Sequence, residues 1–152
     1  MQIKTEIKTE VVSIKHGTTT LNGHLFSKKE SGDPRPAVIV CHAWAGCDTF
    51  ARAAAERMVD LGYVGFAADL YGGGRVGTTK EENASLMQPL IDNRGLLRER
   101  LLTTFDAVRG LREVDANRVA VIGYCFGGLC ALDLARTGCP ITATISFPGL
   151  LT

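Results

Sequence analysis

The sequence has no long hydrophobic run near its start. The first fifteen residues alternate Ile3, Ile7 and Val11 with lysines and glutamates. This alternation lacks the uninterrupted apolar stretch of a signal peptide or of a membrane span. The sequence therefore predicts a cytoplasmic protein that does not interact with a membrane.

A charge excess of one sign is also missing. The 152 residues include 17 basic and 16 acidic side chains, which gives a net charge of +1. Such a balance creates no field that would select nucleic acid or an anionic membrane, so a small molecule is the expected ligand. With 45% apolar and 22% charged residues, the composition is that of an ordinary globular domain. We expect a single domain over residues 1–152.

Paired cysteines are lacking as well. The five cysteines are an odd number without a Cys-x-x-Cys pair, in a chain long enough to fold without disulfides. They are predicted to be free thiols. Cys41, His42 and Cys47 are residue types that bind zinc, but burial in a strand and a missing fourth ligand argue against a zinc site. No metal is therefore expected.

Apolar residues recur with two different periods along the chain. A period of two, or a short continuous apolar run, predicts a strand, and a period near that of a helical turn predicts a helix. The predicted strands cover residues 2–14, 18–26, 37–41, 63–68, 119–122 and 141–147, and the predicted helices cover 49–61, 95–113 and 129–135. The first two strands form an antiparallel pair. The strands and helices that follow alternate along the chain, which is typical of a three-layer α/β/α fold with a mostly parallel sheet.

Two of the predicted helices have an apolar stripe. The stripe of the first helix consists of Phe50, Ala54, Met58 and Leu61, and that of the long helix consists of Leu97, Leu101, Phe105, Val108 and Leu111. Each stripe has the spacing of one helix face that packs on a sheet.

A glycine-rich turn follows the predicted strand at 119–122. The segment Gly123–Gly128 places a cysteine between glycines, after a buried strand and before a helix. Glycines remove the Cβ atoms that would clash in a sharp reversal, and the Cys125 side chain is left exposed at the end of its strand. The amides of the following helix N-terminus favour an anion at this place. Cys125 is the predicted nucleophile; the alternative is a buried core cysteine in an ordinary tight turn.

A second loop, His42–Gly46, follows the predicted strand at 37–41. A loop at the end of a neighbouring strand can present a backbone N–H to a developing oxyanion, together with the N–H that follows the nucleophile. The predicted donors are the amides of Trp44 and Phe126. His42 either braces this loop through hydrogen bonds or acts as a general base. The residues predicted near the pocket are His42, Ala43, Tyr71, Arg75 and Tyr124.

Another glycine-rich segment, Gly72–Gly77, matches the Gly-x-Gly-x-x-Gly pattern of dinucleotide-binding loops. The acidic residue that such a site needs about 20 residues further on would fall inside a predicted helix, so no cofactor is expected. The segment is instead predicted to be a flexible loop near the pocket rim. Arg75 and Arg94 either bind a substrate carboxylate or lie on the solvated surface. Asp69 is predicted to order the turn after its strand.

In four segments the chain resembles the dienelactone hydrolase family of α/β-hydrolases. These segments are Gly123–Gly128, Val38–Gly46, Ala68–Tyr71 and Asp115–Arg118, and the similarity extends over nearly the whole chain. The resemblance implies an α/β-hydrolase-like fold. It also implies a Cys-His-Asp triad that cleaves an activated ester or lactone, in a small monomeric enzyme that needs no metal or cofactor.

The family's triad histidine and aspartate lie downstream of the nucleophile. In this chain the three histidines, His16, His24 and His42, all precede Cys125. We therefore expect a truncated member of the family that lacks the last strands of the fold. The strand at 141–147 would then be an exposed apolar edge through which the chain could self-associate.

Ala43 marks a second difference from the family. The best-known members have at this position a glutamate that interacts with the resting thiol, which an alanine cannot do. The resemblance thus implies a cysteine-dependent hydrolase of an ester, lactone or thioester whose substrate preference differs from that of the lactone-cleaving members. The alternative is an inactive remnant that acts at most as an association module.

Overall fold

One mixed sheet organises residues 4–30 and 32–147, the part of the chain that the computed structural model describes. In chain order these residues form β1 (Ile7–His16), β2 (Thr19–Lys28), β3 (Arg35–Cys41), α1 (Thr49–Asp60), β4 (Val64–Ala67), α2 (Lys80–Asp92), α3 (Arg94–Arg109), β5 (Val114–Tyr124), α4 (Phe126–Arg136) and β6 (Ala143–Phe147). The strand order is β1-β2-β4-β3-β5-β6. The strands β4, β3, β5 and β6 run parallel, and the β1-β2 hairpin joins them through an antiparallel contact between β2 and β4.

Helices pack on both faces of this sheet, because successive side chains of a strand point to opposite sides. In the central strands, Ile39 and Val121 belong to a buried cluster with residues of α3 and α4. Val38 and Val40 belong to a second buried cluster with residues of α1. The predicted three-layer α/β/α architecture and the antiparallel first pair of strands are confirmed.

The predicted strands differ from the structure mainly at their ends. β5 begins at Val114, well before the predicted start at residue 119. The polar segment Asp115–Arg118 interrupts the apolar pattern, and it coincides with a register shift in the pairing of β3 with β5. β6 begins at Ala143 and not at residue 141.

The helix prediction was wrong at one place, because α2 was missed. Its N-terminus has a capping box in which Thr79 and Glu82 bind each other's backbone N–H groups, and this is the sequence signal that could have revealed it. Pro89 lies inside α2 and obscures the signal, since proline usually ends a helix. α3 ends at Arg109, earlier than predicted. No helix within residues 4–30 and 32–147 has both the length and the apolarity needed to cross a bilayer.

The predicted apolar stripe of α1 was also wrong in part. Phe50 and Leu61 are 53% and 67% exposed, and the buried residues of the helix are Ala51, Ala54, Ala55 and Val59. The reason is close packing, because Gly65 of β4 lies against the Ala55 carbonyl with no room for a Cβ atom. Only a face of small side chains can approach the strand this closely.

β6 forms one end of the described sheet. It pairs with β5 on one side, and no described strand pairs with its other side. Ile145 and Phe147 on this strand are 49% and 39% exposed. The predicted exposure of an apolar last strand is confirmed for the residues that the structure describes.

The turn between β5 and α4 contains two glycines that have no room for a side chain. A Cβ atom at Gly123 would overlap the Gly127 carbonyl, and one at Gly127 would overlap the backbone carbonyls of Cys41 and His42. The first turn of α4 therefore packs directly against the end of β3.

We predict that Gly127→Ala lowers the free energy of unfolding by about 1–3 kcal/mol, the usual cost of overpacking, because α4 must move away from β3. Urea unfolding followed by circular dichroism measures this change. Gly110→Ala is the matched control, since a Cβ atom there comes no closer than 3.5 Å to the Ala107 carbonyl. Equal stability of Gly127→Ala and the wild type would contradict the close packing.

Candidate active site

Cys125 lies at the sharp turn between β5 and α4. Its φ of 55° is the one positive φ at a non-glycine residue within the described ranges, and its ψ is −114°. Two hydrogen bonds hold this strained backbone: the Cys125 N–H donates to the Phe147 carbonyl (3.0 Å), and the Gly128 N–H donates to the Cys125 carbonyl (2.9 Å). Cys125 is exposed, so it is not the buried core cysteine of the alternative interpretation.

The other cysteines are less accessible. All five are free thiols, and Cys41, Cys47 and Cys130 are buried while Cys139 is partly buried. Burial raises the pKa of Cys41 and that of Cys47 to about 12. Within the described residues no three His, Cys, Asp or Glu side chains are grouped so that they could hold a metal ion. Cys125 is therefore the thiol that the fold presents to solvent.

The His42–Gly46 loop lies beside the Cys125 turn, because β3 and β5 are adjacent parallel strands. Cys41 pairs with Gly123 at the ends of these strands, and Gly127 packs against the Cys41 and His42 carbonyls. No residue that the structure describes accepts a hydrogen bond from the N–H of Trp44 or of Phe126. These two amides, one on each side of the contact, remain able to bind a negatively charged oxygen.

The side chain of His42, the first residue of this loop, is buried, and backbone groups bind both of its ring nitrogens. Nδ1–H donates to the Ala43 carbonyl (2.7 Å), and Nε2 accepts from the Leu70 N–H (3.2 Å). These partners require a neutral ring with its proton on Nδ1. Burial, the largest effect, also lowers the pKa of His42. Neither nitrogen is free to take a proton from Cys125, so the geometry favours the brace over the general base.

Tyr71 is buried next to His42. Its hydroxyl donates to the Trp44 carbonyl (2.7 Å), and its ring centroid lies 4.6 Å from that of His42 and 6.0 Å from that of Phe126. Burial raises the pKa of Tyr71, which keeps the hydroxyl protonated as a donor. Tyr71 therefore supports the loop from below, and its hydroxyl is engaged with Trp44.

The two arginines predicted as carboxylate ligands have partners within the protein. Arg75 donates to the carbonyls of Tyr71 (2.6 Å) and Gly72 (3.2 Å). Arg94 makes a bidentate ion pair with Asp133, with both N–O distances at 2.7 Å. Both guanidinium groups are thus engaged within the protein.

The Gly72–Gly77 loop was predicted to be flexible, but hydrogen bonds tie it at several points. The buried Asp69 carboxylate accepts from the N–H groups of Gly72 (2.9 Å) and Gly74 (2.8 Å). The Gly77 N–H donates to the Ala45 carbonyl (2.9 Å). Asp69 therefore orders the turn and occupies amides that a nucleotide phosphate would need.

The residues predicted near one pocket lie on two sides of the sheet. Tyr71 and His42 lie on the side of α4, in contact with Phe126. Tyr124 packs on the side of α1, stacked on Phe147 with centroids 4.9 Å apart. Tyr124 is the last residue of β5, whereas His42 and Tyr71 lie in the loops that follow β3 and β4. Ala43 is partly buried and has no carboxylate to offer the thiol.

Two residues that support this region were missed from the sequence. Phe50 makes an edge-on contact with Tyr124 at 5.3 Å, although its position suggested a buried helix face. Arg100 donates to the carbonyls of Leu70 (2.8 Å) and Tyr71 (3.2 Å). No local pattern identifies either contact, because both partners come from distant parts of the chain.

Known proteins are similar to this chain in sequence. The dienelactone hydrolase family matches residues 21–152. A probable 2-oxo-3-(5-oxofuran-2-ylidene)propanoate lactonase of Bradyrhizobium sp. is 31% identical over 120 residues, which are 76% of this chain and 46% of that protein. A carboxymethylenebutenolidase of Pseudomonas putida is 25% identical over 145 residues, which are 86% of this chain and 57% of that protein. The chain thus spans about half the length of these relatives.

The fold is similar to that of a solved relative. The crystal structure of a dienelactone hydrolase-like promiscuous phosphotriesterase from metagenomic libraries is 35% identical, with a TM-score of 0.90 over 94% of this chain and 59% of that one. The family match covers residues 21–152, well over half of the chain, and the structural similarity covers 94% of it. This chain belongs to the dienelactone hydrolase family.

Proposed function

We propose that this chain performs the acyl-transfer step of a hydrolase, with Cys125 as the nucleophile that attacks an ester, lactone or thioester. The observation that carries this proposal is the exposed, strained Cys125 at the start of α4. Strained residues held by their surroundings cluster at active sites. The N–H groups of Trp44 and Phe126, which bind no described residue, are the proposed donors to the oxyanion.

The reaction begins with the thiolate of Cys125. Its sulfur forms a bond to the carbonyl carbon while the π electrons move to the carbonyl oxygen, which becomes an oxyanion held by the two amides. The electrons of the oxyanion then re-form the C=O double bond while the bond to the leaving oxygen or sulfur breaks with its electron pair. The leaving group takes a proton from water, and an acyl-thioester remains on Cys125. Water hydrolyses this thioester and restores the thiol.

The described residues provide no general base for Cys125. Among residues 4–30 and 32–147, no histidine or carboxylate forms a hydrogen bond with the Cys125 thiol, and His42 is engaged on both nitrogens. Attack by a thiolate needs no base at the moment of reaction, whereas activation of water does. We therefore infer that acylation is fast and deacylation slow in this chain.

The substrate class follows from the family and from the site. One relative is named a lactonase, which supports a lactone or a related small-molecule ester. Ala43 provides no carboxylate beside the thiol, and the guanidinium of Arg75 binds the carbonyls of its own turn. Because the Arg75 guanidinium is occupied by its own turn, we propose a neutral ester or lactone, unlike the propanoate in the relative's name. A free thiol in the reactive position suits the cytoplasm, where thiols stay reduced.

A second candidate function is self-association through β6. The outer edge of β6 pairs with no described strand. Ala143–Phe147 contains no charged residue and no proline, which usually oppose edge-to-edge pairing. Next to it, a groove of about 510 Å³ is lined mainly by apolar side chains of β3, β5 and β6, among them Ile122, Ile145 and Phe147. We propose that two copies pair their β6 strands.

We predict that iodoacetamide alkylates Cys125 roughly tenfold faster than any other cysteine, because reactive thiols need exposure. Peptide mass mapping over a time course measures the order of labelling. Cys125→Ser should lose the fast phase, and Cys139→Ser, which removes the partly buried thiol, should keep it. Faster labelling at Cys139 than at Cys125 would show that the turn does not present a reactive thiol.

We predict that p-nitrophenyl acetate releases a burst of about one p-nitrophenolate per chain, followed by slow turnover, since an acyl-thioester accumulates when deacylation is slow. Stopped-flow absorbance gives the burst, and the intact mass shows the acetylated protein. Cys125→Ala should abolish the burst, and Cys139→Ser should preserve it. A folded wild-type protein without a burst would refute the proposed acyl transfer.

We predict that the chain forms a concentration-dependent dimer and that Ile145→Lys makes it monomeric, because a charge on an edge strand opposes pairing. Sedimentation equilibrium over a range of concentrations measures this. Val11→Lys is the matched control, since Val11 is an exposed apolar residue on β1 at the opposite edge of the sheet. A wild-type protein that stays monomeric throughout contradicts association through β6.

A further inference from the structure

The His42 ring is fixed in one orientation. Its side chain is 1% exposed, and its centroid lies 4.6 Å from that of Tyr71 and 6.0 Å from that of Phe126. The Leu70 N–H donates to Nε2, so the proton of the neutral ring lies on Nδ1. A flip of the ring by about 180° would place carbon atoms where the two nitrogens lie and break both hydrogen bonds.

The second hydrogen bond of His42 reaches the peptide unit that contains the Trp44 N–H. Nδ1–H donates to the Ala43 carbonyl (2.7 Å), and the Gly46 N–H donates to the same oxygen (3.1 Å). The Ala43 carbonyl and the Trp44 N–H belong to one trans peptide and therefore point in opposite directions. Holding the carbonyl towards His42 thus aims the N–H away from it.

The following peptide units of the loop are held as well. The Tyr71 hydroxyl donates to the Trp44 carbonyl (2.7 Å), and the Gly77 N–H donates to the Ala45 carbonyl (2.9 Å). Three consecutive carbonyls of the loop are therefore bound, while the N–H of Trp44 is left without a partner among the described residues. This is the arrangement expected of a preorganised donor, which needs no reorientation at the moment of reaction.

We propose that His42 is a positioning residue that aims the Trp44 N–H at the oxyanion formed when Cys125 attacks a carbonyl. The proposal rests on the proposed acyl-transfer function and assigns His42 no part in proton transfer. His42 acts through the Ala43–Trp44 peptide and touches neither substrate nor thiol.

The test compares two reactions of the same thiol. Acylation by p-nitrophenyl acetate passes through an oxyanion, whereas alkylation by iodoacetamide displaces iodide from carbon and forms none. A residue that aims an oxyanion donor changes the first rate constant and not the second. A residue that acts on the thiol itself, as a general base does, changes both.

Three substitutions of His42 separate the roles of its two nitrogens. His42→Ala removes both contacts, His42→Asn keeps an N–H donor near the position of Nδ1, and His42→Gln places its amide near the position of Nε2 instead. We expect His42→Ala to slow acylation roughly tenfold. This is less than the loss of about 10²–10³-fold that follows deletion of an oxyanion donor itself. Alkylation should be unchanged, and His42→Asn should recover most of the acylation rate.

The control is His16→Asn. His16 lies on β1 and pairs with Glu99 at 3.4 Å, far along the chain from the loop, and its replacement should leave both rate constants unchanged. If His42→Ala does not fold, the comparison of His42→Asn with His42→Gln decides the question, and the asparagine variant should acylate faster.

Each outcome has one meaning. Equal acylation by His42→Ala and the wild type overturns the proposal, and so do equal rates for the asparagine and glutamine variants. A parallel loss of acylation and alkylation also overturns it, because His42 would then act on the thiol or on the fold as a whole. Absence of a burst in the wild-type protein refutes the proposed function itself, and the assignment of His42 fails with it.

Discussion

The close approach of α4 to the end of β3 is the contact on which the site depends. Gly127 packs against the Cys41 and His42 carbonyls, and Gly123 against the Gly127 carbonyl, at distances that exclude any Cβ atom. This contact brings the helix N-terminus, the Cys125 thiol and the His42–Gly46 loop into one small region. A larger side chain at either glycine would move α4 away from β3 and so separate the amide of Phe126 from that of Trp44, the two donors of the proposed oxyanion site.

A buried carboxylate, that of Asp69, fixes the turn that holds His42 in the His42–Gly46 loop. Asp69 is 1% exposed, and burial of a charge is costly unless hydrogen bonds replace its water. The N–H groups of Asn22, Gly72 and Gly74 provide this replacement at 2.8 to 3.0 Å. The turn fixed in this way carries the Leu70 N–H that holds His42. The glycines that resemble a nucleotide-binding loop therefore bind a carboxylate of the protein itself.

Local signals made much of the fold predictable. Continuous apolar runs identified the buried strands, and the glycines around Cys125 identified the turn, because both patterns reflect constraints within a few residues. Contacts between distant segments were not predictable. The alanine face of α1 depends on Gly65 of another strand, and the separation of Tyr124 from Tyr71 depends on which face of the sheet each residue meets. The capping box of α2 was visible in the sequence, but Pro89 concealed the helix.

The Cys125 turn is also linked to the least supported strand of the described sheet. The Cys125 N–H donates to the Phe147 carbonyl, and Tyr124 stacks on the Phe147 ring. Phe147 ends β6, which pairs with no described strand on its outer side and whose Ile145 and Phe147 side chains are exposed. An edge strand opens more easily than a central one, because its backbone has partners on one side only. A contact that covers β6 would therefore also act on the backbone of Cys125, through the hydrogen bond between Cys125 and Phe147. The proposed association at β6 and the proposed chemistry at Cys125 would for this reason involve one connected region of the fold.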